Sequence, residues 1–316
     1  MIVLAVLIIV VAGAVCYLKF ALPNVDEAPD LTVELTPERI RHGEYLANHV
    51  AACMDCHSTR DWGRFSGPLV PGTLGKGGEY FGPEMGFPGK FYSKNLTPAH
   101  LGSWTDGEIF RAITSGVNKD GNVLFPVMPY SYYSKLDRED ILDIIAYLRS
   151  LSPIESNVPE SAPAFPMNLL INTLAVNPAF TQKPSQKDPV AYGRYLVNAA
   201  ACMDCHSPVN KGQVIPEKAF SGGREFELPG GTLRSPNITP DEATGIGAWT
   251  DSVFVARFKA YQHPEELPTA GPTDFNTLMP WTMYAGMDTT DLVAMYAYLS
   301  SLSPIKNEVV KYTARE

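Results

Sequence analysis

The sequence predicts a mainly α-helical chain: two tandem domains behind one N-terminal transmembrane helix. Three observations carry that expectation. The octapeptide Ala-Ala-Cys-Met-Asp-Cys-His-Ser occurs twice, at 51–58 and at 200–207. Other landmarks repeat around it in the same order, so the repeat itself sets the domains. Residues 2–18 carry no charged side chain, and the remainder of the 316 residues suffices for two domains of ordinary size.

The first element is residues 1–22. The uncharged run spans about 25 Å as a helix, near the lower limit for a bilayer core. Phe20, Ala21 and Leu22, with Lys19 snorkelling, bring it into range. A cleaved secretory signal is the rival reading. The run lacks a basic leader and exceeds the usual hydrophobic region of a signal, which favours an uncleaved anchor. Cys16 reads as a membrane-facing residue, because Val15 stands where a lipoprotein cleavage site needs a small side chain.

The repeats follow at 37–154 and 188–305. Gly43-Glu44-Tyr45-Leu46 pairs with Gly193-Arg194-Tyr195-Leu196, and Asn95-Leu96-Thr97-Pro98 with Asn237-Ile238-Thr239-Pro240. Trp104-Thr105-Asp106 pairs with Trp249-Thr250-Asp251, and both repeats close on Tyr-Leu-x-Ser-Leu-Ser-Pro-Ile. Thr36 before Pro37 reads as a helix start. Thr105 and Glu108 form a capping-box pattern. Ile141, Ile144, Ile145 and Leu148 fall on one helical face, as do Leu292, Met295, Tyr296 and Leu299. Pro153 and Pro304 stop those last helices. Gly43 and Gly193 are expected to let the first and last helices cross closely, against Tyr147 and Tyr298.

The Gly- and Pro-rich stretches 61–100 and 208–248 read as long loops. The interval from Trp to Met is longer in the second repeat, an insertion around His263 to Thr277 that reads as a surface loop or a partner contact. The connection 155–187 carries Leu169, Leu170, Ile171, Leu174 and Val176, too apolar for a solvated linker. It is expected to bind both domains, with docking to another subunit or to the membrane surface as the alternative. Residues 306–316 read as a tail.

Cys53-x-x-Cys56-His57 and Cys202-x-x-Cys205-His206 match covalent attachment of c-type haem. One helical turn brings both sulfurs to one porphyrin edge and turns the imidazole over the iron. Zinc would need a second ligand pair per site, and a redox disulfide leaves the histidines unexplained. The cofactor expectation is therefore two haems c. A thioether suits the opposite axial position of an iron cycling between Fe(II) and Fe(III). Met128 and Met279 each precede proline at the same place in their repeats, and are the predicted ligands. Met54 and Met203 lie inside the attachment loops, and Met85, Met283 and Met287 lack a repeat partner in the right place. His49 reads as surface, while His42, His100 and His263 show no ligand-like partners.

Asp and Glu outnumber Lys and Arg by 34 to 25, for a net charge of −9. No basic patch speaks for nucleic acid.

These motifs resemble the class I cytochrome c fold used twice. Over about 37–305 they are similar to the membrane-bound multihaem cytochrome subunits of bacterial alcohol, aldehyde and gluconate dehydrogenases, which usually carry three haem domains where this chain has two. The resemblance implies an electron carrier that is not itself an enzyme. It would be held at the cell membrane by a single pass, with its haem domains on the periplasmic side, because haem attachment occurs outside the cytoplasm. Its partners would be a dehydrogenase or quinol-oxidising complex and a terminal oxidase. The competing readings are a dihaem enzyme of peroxidase or thiosulfate-oxidising type, which needs an open iron, and a haem subunit of a terminal oxidase.

Overall fold

The chain is seen in a computed structural model that describes residues 1–315. Helix α1, Ile2–Cys16, continues as a wider turn through Tyr17–Ala21. Together they make a 20-residue helix with a mean hydropathy of 2.7 and no buried residue, long and apolar enough to cross a membrane.

The first repeat contains α2 (Pro37–Tyr45), prolonged by Leu46–Val50, then α3 (Cys53–Cys56), α4 (Pro98–Leu101), α5 (Asp106–Ser115), α6 (Tyr130–Tyr133) and α7 (Arg138–Ser150). A single turn, α8 (Met167–Leu170), lies in the connection. The second repeat contains α9 (Pro189–Ala199), α10 (Cys202–Cys205), α11 (Asp251–Lys259), α12 (Trp281–Tyr284) and α13 (Thr289–Ser300). Omitting α4, the helices of the two repeats correspond one to one. The predicted caps are present: Thr36 accepts from Arg39 N at 3.2 Å, and Thr105 with Glu108 forms the complete box.

The first and last helices of each repeat pack together, α2 on α7 and α9 on α13. A Cβ at Gly43 would collide with the Asp143 carbonyl, and one at Gly193 with the Ala294 carbonyl. The glycines do permit a close crossing, but against the backbone one turn before Tyr147 and Tyr298. Tyr147 instead accepts from Asn48 Nδ2 at 3.1 Å.

The predicted long loops hold short antiparallel strands. β1 (Tyr80–Phe81) pairs with β2 (Gly89–Tyr92), which also pairs with β3 (Ala162–Pro163) of the connection. β4 (Val209–Asn210) pairs with β5 (Gln213–Val214), and β6 (Glu225–Leu228) with β7 (Gly231–Arg234). The tail is ordered as β8 (Tyr312–Ala314) on β7. Its alternation was too short to read as a strand without the edge it completes.

The repeats contact each other by reciprocal hydrogen bonds. Tyr45 donates to Asp291 at 2.7 Å and accepts from Asp288 N at 3.0 Å. Its counterpart Tyr195 donates to Asp140 at 2.6 Å and accepts from Asp137 N at 2.9 Å. Each tyrosine thus caps the last helix of the other repeat. Asn198 donates to the Tyr132 carbonyl at 3.0 Å, and His49 Nδ1 donates to the Met283 carbonyl at 2.8 Å. His49 is therefore an interface residue rather than a surface one, wedged against Gly286. His42 also has partners, Asp143 at 2.8 Å and Asp140 at 3.8 Å, in a cluster already neutralised by Arg39 and Lys183.

The connection runs along the first repeat. Val176 N and Ala179 N donate to the Ser115 and Ser134 carbonyls, Lys183 N donates to Asp137, and Phe180 packs on Phe110. Asn172 donates to the Leu18 carbonyl at 3.1 Å, where the apolar helix ends. The segment lies mostly along the first repeat and the helix exit, and its end reaches the second repeat, where Gln186 bonds Tyr192 and Lys183 lies near Asp291.

Candidate functional site

Each predicted attachment turn begins at an alanine in the left-handed region, Ala52 at φ 48° and Ala201 at φ 49°. A non-glycine residue there costs about 1 kcal/mol or more, so something must hold it. In both repeats a tyrosine does so. Tyr133 donates to the Ala51 carbonyl at 3.0 Å, and Tyr284 to the Ala200 carbonyl at 3.0 Å. The left-handed residue then launches one helical turn, which ends as His57 N bonds the Cys53 carbonyl and His206 N the Cys202 carbonyl. All four thiols are free. Desolvation pushes Cys53 and Cys202 up to about 12, so both stay protonated at neutral pH.

The histidines are oriented from behind. His57 Nδ1 donates to the Lys94 carbonyl at 2.7 Å, and His206 Nδ1 to the Pro236 carbonyl at 2.9 Å. That bond fixes the proton on Nδ1 and leaves Nε2 with its lone pair free, as a metal-ligating imidazole requires. Burial lowers both pKa values and the carbonyl contact raises them less, so the neutral ring is favoured.

The Asn-x-Thr-Pro motifs explain how those carbonyls are held. Asn95 Oδ1 accepts from Thr97 N and Oγ1 at 2.8 Å, while its Nδ2 donates to the Ile154 carbonyl at 2.7 Å. Asn237 does the same with Thr239 and the Ile305 carbonyl. The motif staples the segment behind the histidine to the chain leaving the last helix.

Met128 and Met279 are half-buried against the core. Tyr130 N donates to the Met128 carbonyl at 2.8 Å, and Trp281 N to the Met279 carbonyl at 2.8 Å. These bonds lead into α6 and α12, whose last residues are Tyr133 and Tyr284. One short helix therefore links each methionine turn to its attachment turn. The excluded methionines Met54, Met283 and Met287 are core side chains.

The residues present fit haem c. Each repeat offers two protonated thiols on one turn, an imidazole with Nε2 free, and a thioether. Trp104 Nε1 is buried with no acceptor among the described residues, a donor suited to a propionate carboxylate. Among the described residues, the donor groups close enough to share a metal ion lie elsewhere, at His42–Asp140–Asp143 and His263–Glu265–Glu266, and neither contains a cysteine.

Sequence reasoning missed Tyr133, Tyr284 and the Lys94 and Pro236 carbonyls. The tyrosines could have been found, since each stands five residues after its methionine. Backbone acceptors leave no signal in residue types.

The chain is similar to known proteins in sequence. The cytochrome c family matches residues 190–303. The chain is 30% identical over 67% of its length to the fructose dehydrogenase cytochrome subunit of Gluconobacter japonicus, covering 43% of that protein. It is 27% identical over 87% of its length to the cytochrome c subunit of a quinone alcohol dehydrogenase of Gluconacetobacter polyoxogenes, covering 58% of it. A protein of Cereibacter sphaeroides named as a dihaem cytochrome c-type is 28% identical over 67% of this chain and 71% of its own length. The chain spans about half the length of the two dehydrogenase subunits. The cytochrome c family model thus matches the second repeat, and the chain is similar to cytochrome c subunits of fructose and alcohol dehydrogenases and to a dihaem cytochrome c.

Proposed function

We propose that the chain passes electrons between redox proteins through two covalently bound haems c, held in two tandem cytochrome c domains at 37–154 and 188–305. Cys53 and Cys56 would attach the first haem, with His57 and Met128 holding its iron; Cys202 and Cys205 would attach the second, with His206 and Met279 holding its iron. The observation that carries this reading is the matching geometry of the two turns: the same left-handed alanine, the same tyrosine hydroxyl beneath it, and the same carbonyl behind the histidine.

Bound haem supplies a one-electron Fe(III)/Fe(II) couple in each domain. The protein's own residues set its terms. The Nδ1–H bonds keep both imidazoles neutral and fixed in orientation. The methionines favour the reduced state relative to an imidazole or water ligand. With a histidine and a methionine both holding each iron, neither would be open to a substrate, and the chain would act as a carrier rather than an enzyme. Residues 1–22 anchor it in the membrane with the haem domains on the periplasmic side, next to the dehydrogenase or quinol-oxidising complex that donates and the terminal oxidase that accepts. The dehydrogenase subunits among its relatives support a dehydrogenase as donor.

The test is a haem count on denatured protein, made with the haem-attachment machinery present. Two covalent haems per chain are expected, and one after Cys53→Ala with Cys56→Ala. One or none in the unaltered chain refutes the reading.

A further inference from the structure

We propose that Ser66, in the first repeat, is a positioning residue for Met279 in the second, so that one domain sets the axial ligation of the other's haem. This rests on the reading of Met279 as an iron ligand.

Ser66 is fully buried, and its backbone is left-handed at φ 66°. Its Oγ donates to the Met279 carbonyl at 2.7 Å and accepts from Trp281 N at 3.2 Å. Its N donates to Asn276 Oδ1 at 2.8 Å. One side chain thus bonds both backbone groups that flank the Met279-Pro280 turn. Asn276 Nδ2 returns to the Arg64 carbonyl at 3.2 Å. The stretch around Ser66 is laid along the insertion of the second repeat. Phe65 N donates to the Pro268 carbonyl, and Ala270 N to the Gly63 carbonyl, both at 2.9 Å. The insertion at 263–277 is therefore an internal docking surface rather than a free loop.

The base of the Ser66 loop is equally fixed. Arg60 pairs with Asp55 at 2.8 Å, both side chains being buried. It also donates to the Gly67 carbonyl at 3.1 Å and the Ser66 carbonyl at 3.0 Å. Asp55 lies between Cys53 and Cys56. A continuous run of polar contacts therefore leads from the first attachment turn through Arg60 and Ser66 to the Met279 turn. A buried salt bridge with one partner aimed at a loop's carbonyls holds that loop in one conformation. The left-handed φ at Ser66 fits a backbone held for a purpose, since it costs conformational energy that the Met279 contacts offset.

Among the described residues, no such bond from the second repeat reaches the Met128 turn. That turn is held by its own repeat and the connection: Met128 N donates to the Phe125 carbonyl at 3.3 Å, Phe125 stacks on Phe91 at 4.2 Å, and Tyr130 donates to the Leu174 carbonyl at 3.1 Å.

The experiment uses the full chain carrying both haems, in detergent. Met279→His first identifies which midpoint potential belongs to the second haem. Ser66→Ala then keeps the left-handed position and removes the hydroxyl. The expected result is that the second haem's midpoint falls by at least the equivalent of a tenfold change in its reduction equilibrium, ~59 mV for one electron. The first haem's midpoint should stay put, and about half of the ferric near-infrared sulfur-to-iron band should weaken. Ser66→Gly, which also relieves the positive φ, must do the same; it decides the matter if the alanine variant fails to take up both haems. If Met279→His moves a potential but neither Ser66 variant does, or if both potentials move together, the positioning role is wrong. If Met279→His moves nothing, the ligand reading fails first.

Discussion

The two methionine turns share a sequence pattern and differ in what holds them. Met128 sits in a turn closed by its own repeat and the connection, through Phe125 on Phe91 and Tyr130 on Leu174. Met279 sits in a turn whose two flanking backbone groups are bonded by Ser66 of the other repeat. The two repeats keep the same Cys-x-x-Cys-His turn and differ in what supports the methionine proposed as its partner. A repeat thus predicts where such a residue stands more securely than what keeps it there. The interface between the repeats behaves the other way: Tyr45 and Tyr195 make matching bonds across it, so there the symmetry is retained.

The strongest way to break the comparison is at the helix crossings. Gly43→Leu and Gly193→Leu each drive a side chain into the backbone of the facing helix. Overpacking usually costs about 1–3 kcal/mol, and more where backbone must move. Both variants should lose haem-loaded protein, seen as haem absorbance per chain. Tolerance of one and not the other would show that the two crossings are not equivalent.

A smaller effect comes from the tyrosines that cap the opposite repeat. Tyr45→Phe and Tyr195→Phe each leave a buried carboxylate and a helix-start N–H without their shared partner. A cost of about 1–3 kcal/mol in denaturant unfolding is expected for each. Tyr45→Phe should cost more. Asp140 keeps Lys183 at 2.5 Å, whereas among the described residues Asp291 keeps only the Tyr192 hydroxyl at 3.2 Å. Equal costs would mean that the lysine contributes nothing to the burial of Asp140.

Smaller again is Trp104→Phe, which removes a buried donor without an acceptor of its own. The first haem's potential should shift by less than the ~59 mV of a tenfold change, and the second's should not move. No shift at either haem would mean that the indole faces no propionate.

The smallest effect is on the pH profile. Burial raises the pKa of Asp291, and the Tyr45 and Tyr192 hydroxyls lower it less, with Asp288 and Lys183 nearby. The native chain then holds the proton more tightly than the unfolded one. This contribution to stability is complete below the ordinary carboxylate range and is lost as pH rises through the folded value. Asp291→Asn should flatten that slope in unfolding titrations. An unchanged slope would assign it to another group.

Much of this was legible because the chemistry lies in side-chain identity at fixed spacing. Cys53, Cys56 and His57 stand at a spacing that points to haem attachment, and the second copy repeats it. The helices were legible from caps and apolar periodicity, as at Thr105 and Ile141 to Leu148. Their crossing was legible only as a glycine pair; the collision falls on Asp143 and Ala294, because helix phase decides which backbone atoms meet. His49 looked like surface because nothing in one repeat says what the other lays against it. The 263–277 insertion was ambiguous for the same reason: its partner, the loop around Ser66, is some 200 residues away in the chain. Strand β8 needed β7 as its edge. What the sequence hid consists of contacts between distant segments through backbone groups.

The most direct test of the central claim is near-infrared magnetic circular dichroism of the ferric protein, together with cyanide binding. Two haems each ligated by histidine and methionine should both contribute the sulfur-to-iron band, and neither should take up cyanide rapidly. A haem that lacks the band and binds cyanide at once would have an open iron, and the chain would then be a dihaem enzyme rather than a carrier.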